Sequence, residues 1–438
     1  DCLKGDVVAM RFALMFALLV ERIFSTDSRE TISDMLQIDS AFHDQWIHLI
    51  EMQDRQWHEE AIDFPLKDRS EILTECAPSE SDFRDHADNI RPNDIDFYIE
   101  MGHLSRYCGR NTTQLLQGKL DSCAQPGYAM ELPSIDKFLR IFNENLTVIE
   151  STVESKLSIQ RDYLVKKFNE DNTEWNKRWK LIIIMPSLQD GEASESGQAA
   201  IEVLDTIEEL YNVVPNRTII VVIRTSGIGI WQDAAHTHQA CRSMLQRFKM
   251  YSKFNSASVW DQVEAICETH FQNEMFSVQI LPLLKDAALV NLPDNTMDLS
   301  VLGYDCSHFS ERGLSLFHIN IWNSILTKEP ERTQAFRPVF ISPQCADPQC
   351  PFIRTHNNSA LCLWNPKPSK DEEVNDYCEQ FIAVIALLSA IVPCMVLVVV
   401  LCRRRRHDRV TEIDSTPPLK AVGEDWTSIR FIDEDSVC

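Results

Sequence analysis

Leu181–Met185 is apolar throughout, and Thr218–Ile223 and Phe276–Leu281 are nearly so. Short apolar runs with no regular polar alternation predict strands buried on both faces, as in a parallel sheet covered by helices. Asp96–Met101 predicts one earlier strand. Between these runs, apolar residues recur at helical spacing over Pro133–Phe142, Gly197–Tyr211, Ala257–Asn273 and Glu311–Leu326. Strands alternating with helices predict an α/β domain: a doubly wound parallel sheet with helices on both faces, spanning residues 93–330.

The flanks read differently. Residues 28–92 are polar, of mixed charge and partly helical, and form a lead-in segment. Met10-Arg11 followed by the apolar run Phe12–Val20 predicts a secretory signal peptide, so residues 1–27 are read as upstream sequence and leader. Residues 331–380 are rich in Pro and Cys and read as a disulfide-pinned stalk. Phe381–Cys402 carries no charge over 22 residues and is followed at once by Arg403–Arg406. That length spans a bilayer as one transmembrane helix, and the arginines place its end in the cytoplasm. The expectation is a single-pass type I plasma-membrane protein with its large domain outside and a polar, acidic tail at 403–438 inside.

Composition agrees with that topology. Ten of the 14 cysteines (Cys76, Cys108, Cys123, Cys241, Cys267, Cys306, Cys345, Cys350, Cys362 and Cys378) fall in the outside region, which predicts disulfides without giving their pairing. Sequons for N-glycosylation at Asn111, Asn145, Asn216 and Asn357 lie on the same side. The net charge of −24 opposes binding to anionic phosphate backbones, so no nucleic-acid partner is expected. His236-Thr-His238-x-x-Cys241 brings potential zinc ligands close together, but lacks a second well-spaced pair and reads as a solvated helix start. No metal or cofactor is implied.

The chemistry concentrates in Asp298–Gly313. Asp305-Cys-Ser-His308 is a D-x-x-H pair just before a helix, a spacing at which a carboxylate can hold an imidazole in one tautomer, ready to take a proton from a nucleophile. This block, continuing to Ile321-Trp322-Asn323-Ser-Ile-Leu326, resembles the catalytic Asp-His block of the phospholipase B branch of the SGNH (GDSL) ester hydrolases. Arg91-Pro-Asn-Asp-Ile95 resembles the entry to that family's first catalytic block, and Trp179-Lys-Leu-Ile182 the entry to its third. Cys350-Pro-Phe352, Arg354-Thr355 and Asn358-Ser359 resemble the segment after the catalytic domain. The resemblance covers roughly residues 75–402 and implies an SGNH-like fold and cleavage of phospholipid or lysophospholipid acyl esters at a membrane surface.

The same resemblance exposes departures. The family's first strand ends in Gly-Asp-Ser, whose serine is the nucleophile; here it ends Met101-Gly102-His103-Leu104, with Ser105 one residue beyond. Leucine has no nucleophilic atom, which leaves Ser105 as the local candidate. The family's second block supplies a glycine N–H to the oxyanion hole, but no glycine lies between Pro133 and Met185, and the charged stretch 150–180 stands where that strand and loop belong. The third block's Gly-x-Asn-Asp is replaced by Ser187-Leu-Gln189-Asp190, leaving Gln189 as an oxyanion donor one methylene longer. The chain is therefore either an impaired relative, a lipid-binding or cell-surface interaction protein, or an active enzyme whose sequence lacks an exon.

Overall fold

The computed structural model describes residues 32–63, 73, 76, 85–102, 133–149, 156–170, 172–186, 198–227, 229–247, 257–333, 335–339, 341–363 and 395–404. Leu104, Ser105, Asn111, Gln189 and the expected leader lie outside these residues. The chain divides into two compact units, Asp1–Trp364 and Asn365–Cys438.

The strands of the first unit are β1 (Ile95–Gly102), β2 (Thr147–Ile149), β3 (Trp179–Met185), β4 (Thr218–Ile223), β5 (Gln272–Asn273) and β6 (Phe276–Leu281). Their order across the sheet is β2-β1-β3-β4-β6-β5. All neighbours are parallel except the short β5–β6 edge pair. The helices are α1 (Ile32–Ile38), α2 (Ser40–Asp63), α3 (Ile135–Phe142), α4 (Leu157–Glu170), α5 (Asn172–Trp175), α6 (Gln198–Val213), α7 (Gly229–Thr237), α8 (Gln239–Arg247), α9 (Ala257–His270), α10 (Glu311–Leu326) and α11 (His356–Ala360). The expectation of a mostly parallel α/β sheet therefore holds.

Every residue of β3, β4 and β6 is buried, because the two faces of the sheet feed two cores. Tyr98, Leu181, Ile183, Ile219 and Val221 pack on one side with Trp46, Phe138 and Trp322. Ile99, Ile182, Ile184, Ile220 and Val222 pack on the other with Leu164, Val203 and Val263. Successive strand side chains point to opposite faces, so a strand covered twice is apolar at most positions, and its buried polar groups must find partners. Lys180 obeys the rule by another route: its buried ammonium donates to the carbonyl oxygens of Trp175, Arg178 and Asn216.

Three expectations need correction. The helix predicted over Ala257–Asn273 stops at His270, and its last residues form β5. A strand does stand between Pro133 and Trp179: β2 pairs with β1 through Phe97↔Thr147 and Ile99↔Ile149. It is only three residues long and buried at Ile149 alone, so it leaves almost no apolar pattern. Cys267 is buried and has no disulfide partner, whereas Cys76–Cys345, Cys241–Cys306 and Cys350–Cys362 are bonded.

Both flanks lie against the sheet unit. Ile353 N donates to Ile90 O at 2.7 Å and Arg354 N to Ile325 O at 2.8 Å. Trp322 Nε1 donates to Gln344 O at 2.9 Å, while Asn323 donates to Ser342 O and accepts from Gln344 N. The Trp-Asn pair of the α10 motif thus serves as an anchor for the returning chain. In the second unit, residues 395–404 are helical. Among the described residues no helix is long and apolar enough to cross a membrane; residues 381–394 of the expected span lie outside them.

Candidate functional site

In a doubly wound sheet, ligands bind beyond the carboxyl ends of the strands, where the strand order reverses. That point here lies between β1 and β3. β1 ends at Gly102, with φ +76°, and a Cβ there would come within 2.0 Å of Met185 O at the end of β3. Only glycine fits this close approach with a left-handed backbone. Gly102 N donates to the side chain of Gln160, a fully buried residue of α4. An amide of α4 therefore takes up the last strand N–H next to the switch point.

The Asp305–His308 loop belongs to the same edge. Trp231, the third residue of α7, donates its indole N–H to Ser307 O at 2.9 Å. Helix α7 starts six residues beyond the end of β4, so this bond sets the loop near the carboxyl end of that strand. β4 is two strands from β1, roughly 10 Å away at the usual strand spacing.

Within the loop, the carboxylate of Asp305 accepts from the backbone N–H groups of Ser307 and His308, both at 3.1 Å, and from the Ser307 hydroxyl at 2.7 Å. His308 Nδ1 is bonded to Asp305 Oδ2. Burial works against an ionised Asp305, but the charge and hydrogen bonds of His308 and the Ser307 hydroxyl outweigh it and hold the pKa at about 2. Nδ1 engaged with the carboxylate leaves Nε2 as the imidazole's acceptor, the arrangement a general base needs. Cys306, between them, has φ +52° and is fixed by its disulfide to Cys241 and by its N–H to Gly303 O. Ser310 caps α10 by accepting from Gly313 N, and Arg312 pairs with the fully buried Asp298.

A second ionisable cluster lies on the same face as Gly102. Tyr98 donates to Glu100, and His318 Nδ1 on α10 stands 3.9 Å from that carboxylate. Burial, with the nearby charge of Asp136, lifts Glu100 to about 8 despite the Tyr98 hydrogen bond. Burial pushes His318 down to about 4.

Of the sequence-based candidates, the structure brings Asp305 and His308 together; Ser105 and Gln189 lie outside the described residues. Asn145, Asn216 and Asn357 are exposed, while Asn111 is also outside. The His236–Cys241 group does not form a metal centre: Cys241 is in a disulfide, and His238 Nε2 lies 3.1 Å from His48 Nδ1 on α2. Among the described residues Glu268, Glu329 and His356 also come together, but Glu329 already pairs with Arg332 and His356. Sequence reasoning missed Gln160, whose only signal was a polar residue on a buried helical position.

No protein-family model matches the chain, and no solved structure matches it. The chain is similar to proteins described as phospholipase B1, membrane-associated. With the human protein it shares 24% identity over 277 residues, covering 56% of this chain and 18% of the relative. With the mouse protein the figures are 23% over 350 residues, 69% and 23%. With the rat protein they are 27% over 104 residues, 23% and 7%. The chain thus spans about a fifth of the length of the human and mouse relatives. The similarity is distant, below 30% identity with each of the three.

Proposed function

We propose that this chain is a membrane-anchored, extracellular phospholipase B-like protein of the GDSL ester hydrolases that engages phospholipid or lysophospholipid acyl chains and is catalytically impaired. The observation that carries the reading is the buried Asp305–His308 pair, held at the carboxyl edge of the sheet with no serine at the aligned nucleophile position, Leu104. A base of this kind acts by deprotonating a hydroxyl, and leucine offers none. The glycine donor of the family's second block is absent from residues 134–184, and Gln189 replaces the asparagine of the third. Losing one oxyanion donor alone costs about 100- to 1000-fold in turnover.

Anchoring through residues 381–402 is part of the proposal, supported by 22 uncharged residues ahead of four arginines. Alkaline carbonate extraction of membranes from cells expressing the full chain tests it; release of the chain into the supernatant counts against a span. The functional test is lysophosphatidylcholine binding to the full chain, with fatty-acid release followed by mass spectrometry. Binding without release is expected. Release that disappears in both Ser105→Ala and His308→Ala would make the chain an enzyme with Ser105 as nucleophile.

A further inference from the structure

Helix α2 presents one continuous buried stripe: Phe42, Trp46, Leu49, Gln53 and Gln56. Their spacing of four and three residues places them on one helical face. Two glutamines in such a stripe are unexpected, since each buried amide without a partner costs about 1–3 kcal/mol. Their partners are the backbone of the loop ahead of Asp305. Gln56 Nε2 donates to Met297 O at 2.8 Å, and its Oε1 accepts from Leu299 N at 2.9 Å. Gln53 Nε2 faces Leu299 O at 3.0 Å and Leu302 O and Gly303 O at 3.2 Å. Trp46 Nε1 donates to Tyr304 O at 2.9 Å, and Tyr304 in return donates its hydroxyl to Asp54 at 2.6 Å. The loop has no long strand to pair with, and buried carbonyls need donors. Side chains of α2 approach five of these carbonyls, the three at Gln53 sharing its two N–H groups.

One of these points leads straight to the imidazole. Leu302 O and Gly303 N belong to a single planar peptide group. Its oxygen accepts from Gln53, and its N–H donates to His308 O at 2.8 Å. A rigid unit one peptide wide therefore joins Gln53 to the backbone of His308. We propose that Gln53 is a positioning residue for the Asp305–His308 pair and that α2 is a built-in brace of the site. This rests on the reading of His308 as the base. Gln56 serves as the internal comparison: it also bonds the loop twice, but at Met297 and Leu299, away from that peptide.

The test uses the full chain labelled with 15N at histidine, and reads the low-field Nδ1–H resonance of His308, assigned by its absence in His308→Gln. Asp305→Asn must shift or abolish the signal; if it does not, the pair is not formed and the reading of the site fails first. With that satisfied, Gln53→Met is expected to shift the resonance or broaden it away, while Gln56→Met lowers thermal stability and leaves it in place. A resonance unchanged in a folded Gln53→Met, or moved equally by both variants, would overturn the assignment. If Gln53→Met does not fold, hydrogen exchange of Gly303 in the unmodified chain decides. Exchange only through global unfolding supports the brace, and exchange through local opening overturns it.

Discussion

The two halves of the candidate site are built in opposite ways. The Asp305–His308 half is fixed from four directions: the Cys241–Cys306 disulfide, Trp231 of α7, the Ser310 cap of α10 and the amides of α2. At the β1 half, Gly102 closely approaches Met185 O and its N–H is taken by Gln160. On the function proposed above, the supported half holds the base, and the sequence that follows β1 carries Leu104 where the family has its serine.

The largest expected effect falls at the end of β1. Gly102→Ala drives a Cβ into Met185 O at a left-handed φ, and should cost about 4 kcal/mol in equilibrium denaturation. A loss under 1 kcal/mol would mean that the end of β1 can shift away from β3. On the opposite half, Arg312→Met strands the buried carboxylate of Asp298 and should cost about 3 kcal/mol by the same measurement.

Asp305→Asn comes next. A carboxylate held at about 2 against an ordinary 3.8 stabilises the fold above about pH 3.8, and this contribution disappears as pH falls towards 2. The variant should therefore be about 2 kcal/mol less stable at pH 6, with the gap closing across that acid window. A gap independent of pH would deny the ionised pair. The smallest effect has the opposite sign. Glu100, raised from 4.5 to about 8, favours the fold while protonated, so the parent loses stability as pH rises through that range. Glu100→Gln should flatten the profile and leave the variant about 1 kcal/mol more stable at pH 9, once the altered bond to Tyr98 is set against the gain.

Much of this was legible in the sequence where the signal is local. β3, β4 and β6 announce themselves because a strand covered on both faces is apolar at nearly every position. Asp305 and His308 are legible because a three-residue spacing before a helix is enough to join them. What escaped depends on distant partners. α2 looks like a polar lead-in until Gln53 and Gln56 meet carbonyls more than 240 residues away. Residues 331–380 read as a stalk by composition, and their backbone contacts, Ile353 N to Ile90 O and Arg354 N to Ile325 O, could not be read from it. β2 is an edge strand too short to carry a period.

The measurement that bears most directly on the central claim is fluorophosphonate labelling of the full chain beside Ser105→Ala and His308→Ala. No specific labelling of the folded, unmodified protein is expected if the position aligned with the nucleophile is Leu104, as proposed. Labelling of the unmodified chain that vanishes in both variants would contradict it, and would show that Ser105 is activated by His308 despite its displaced position.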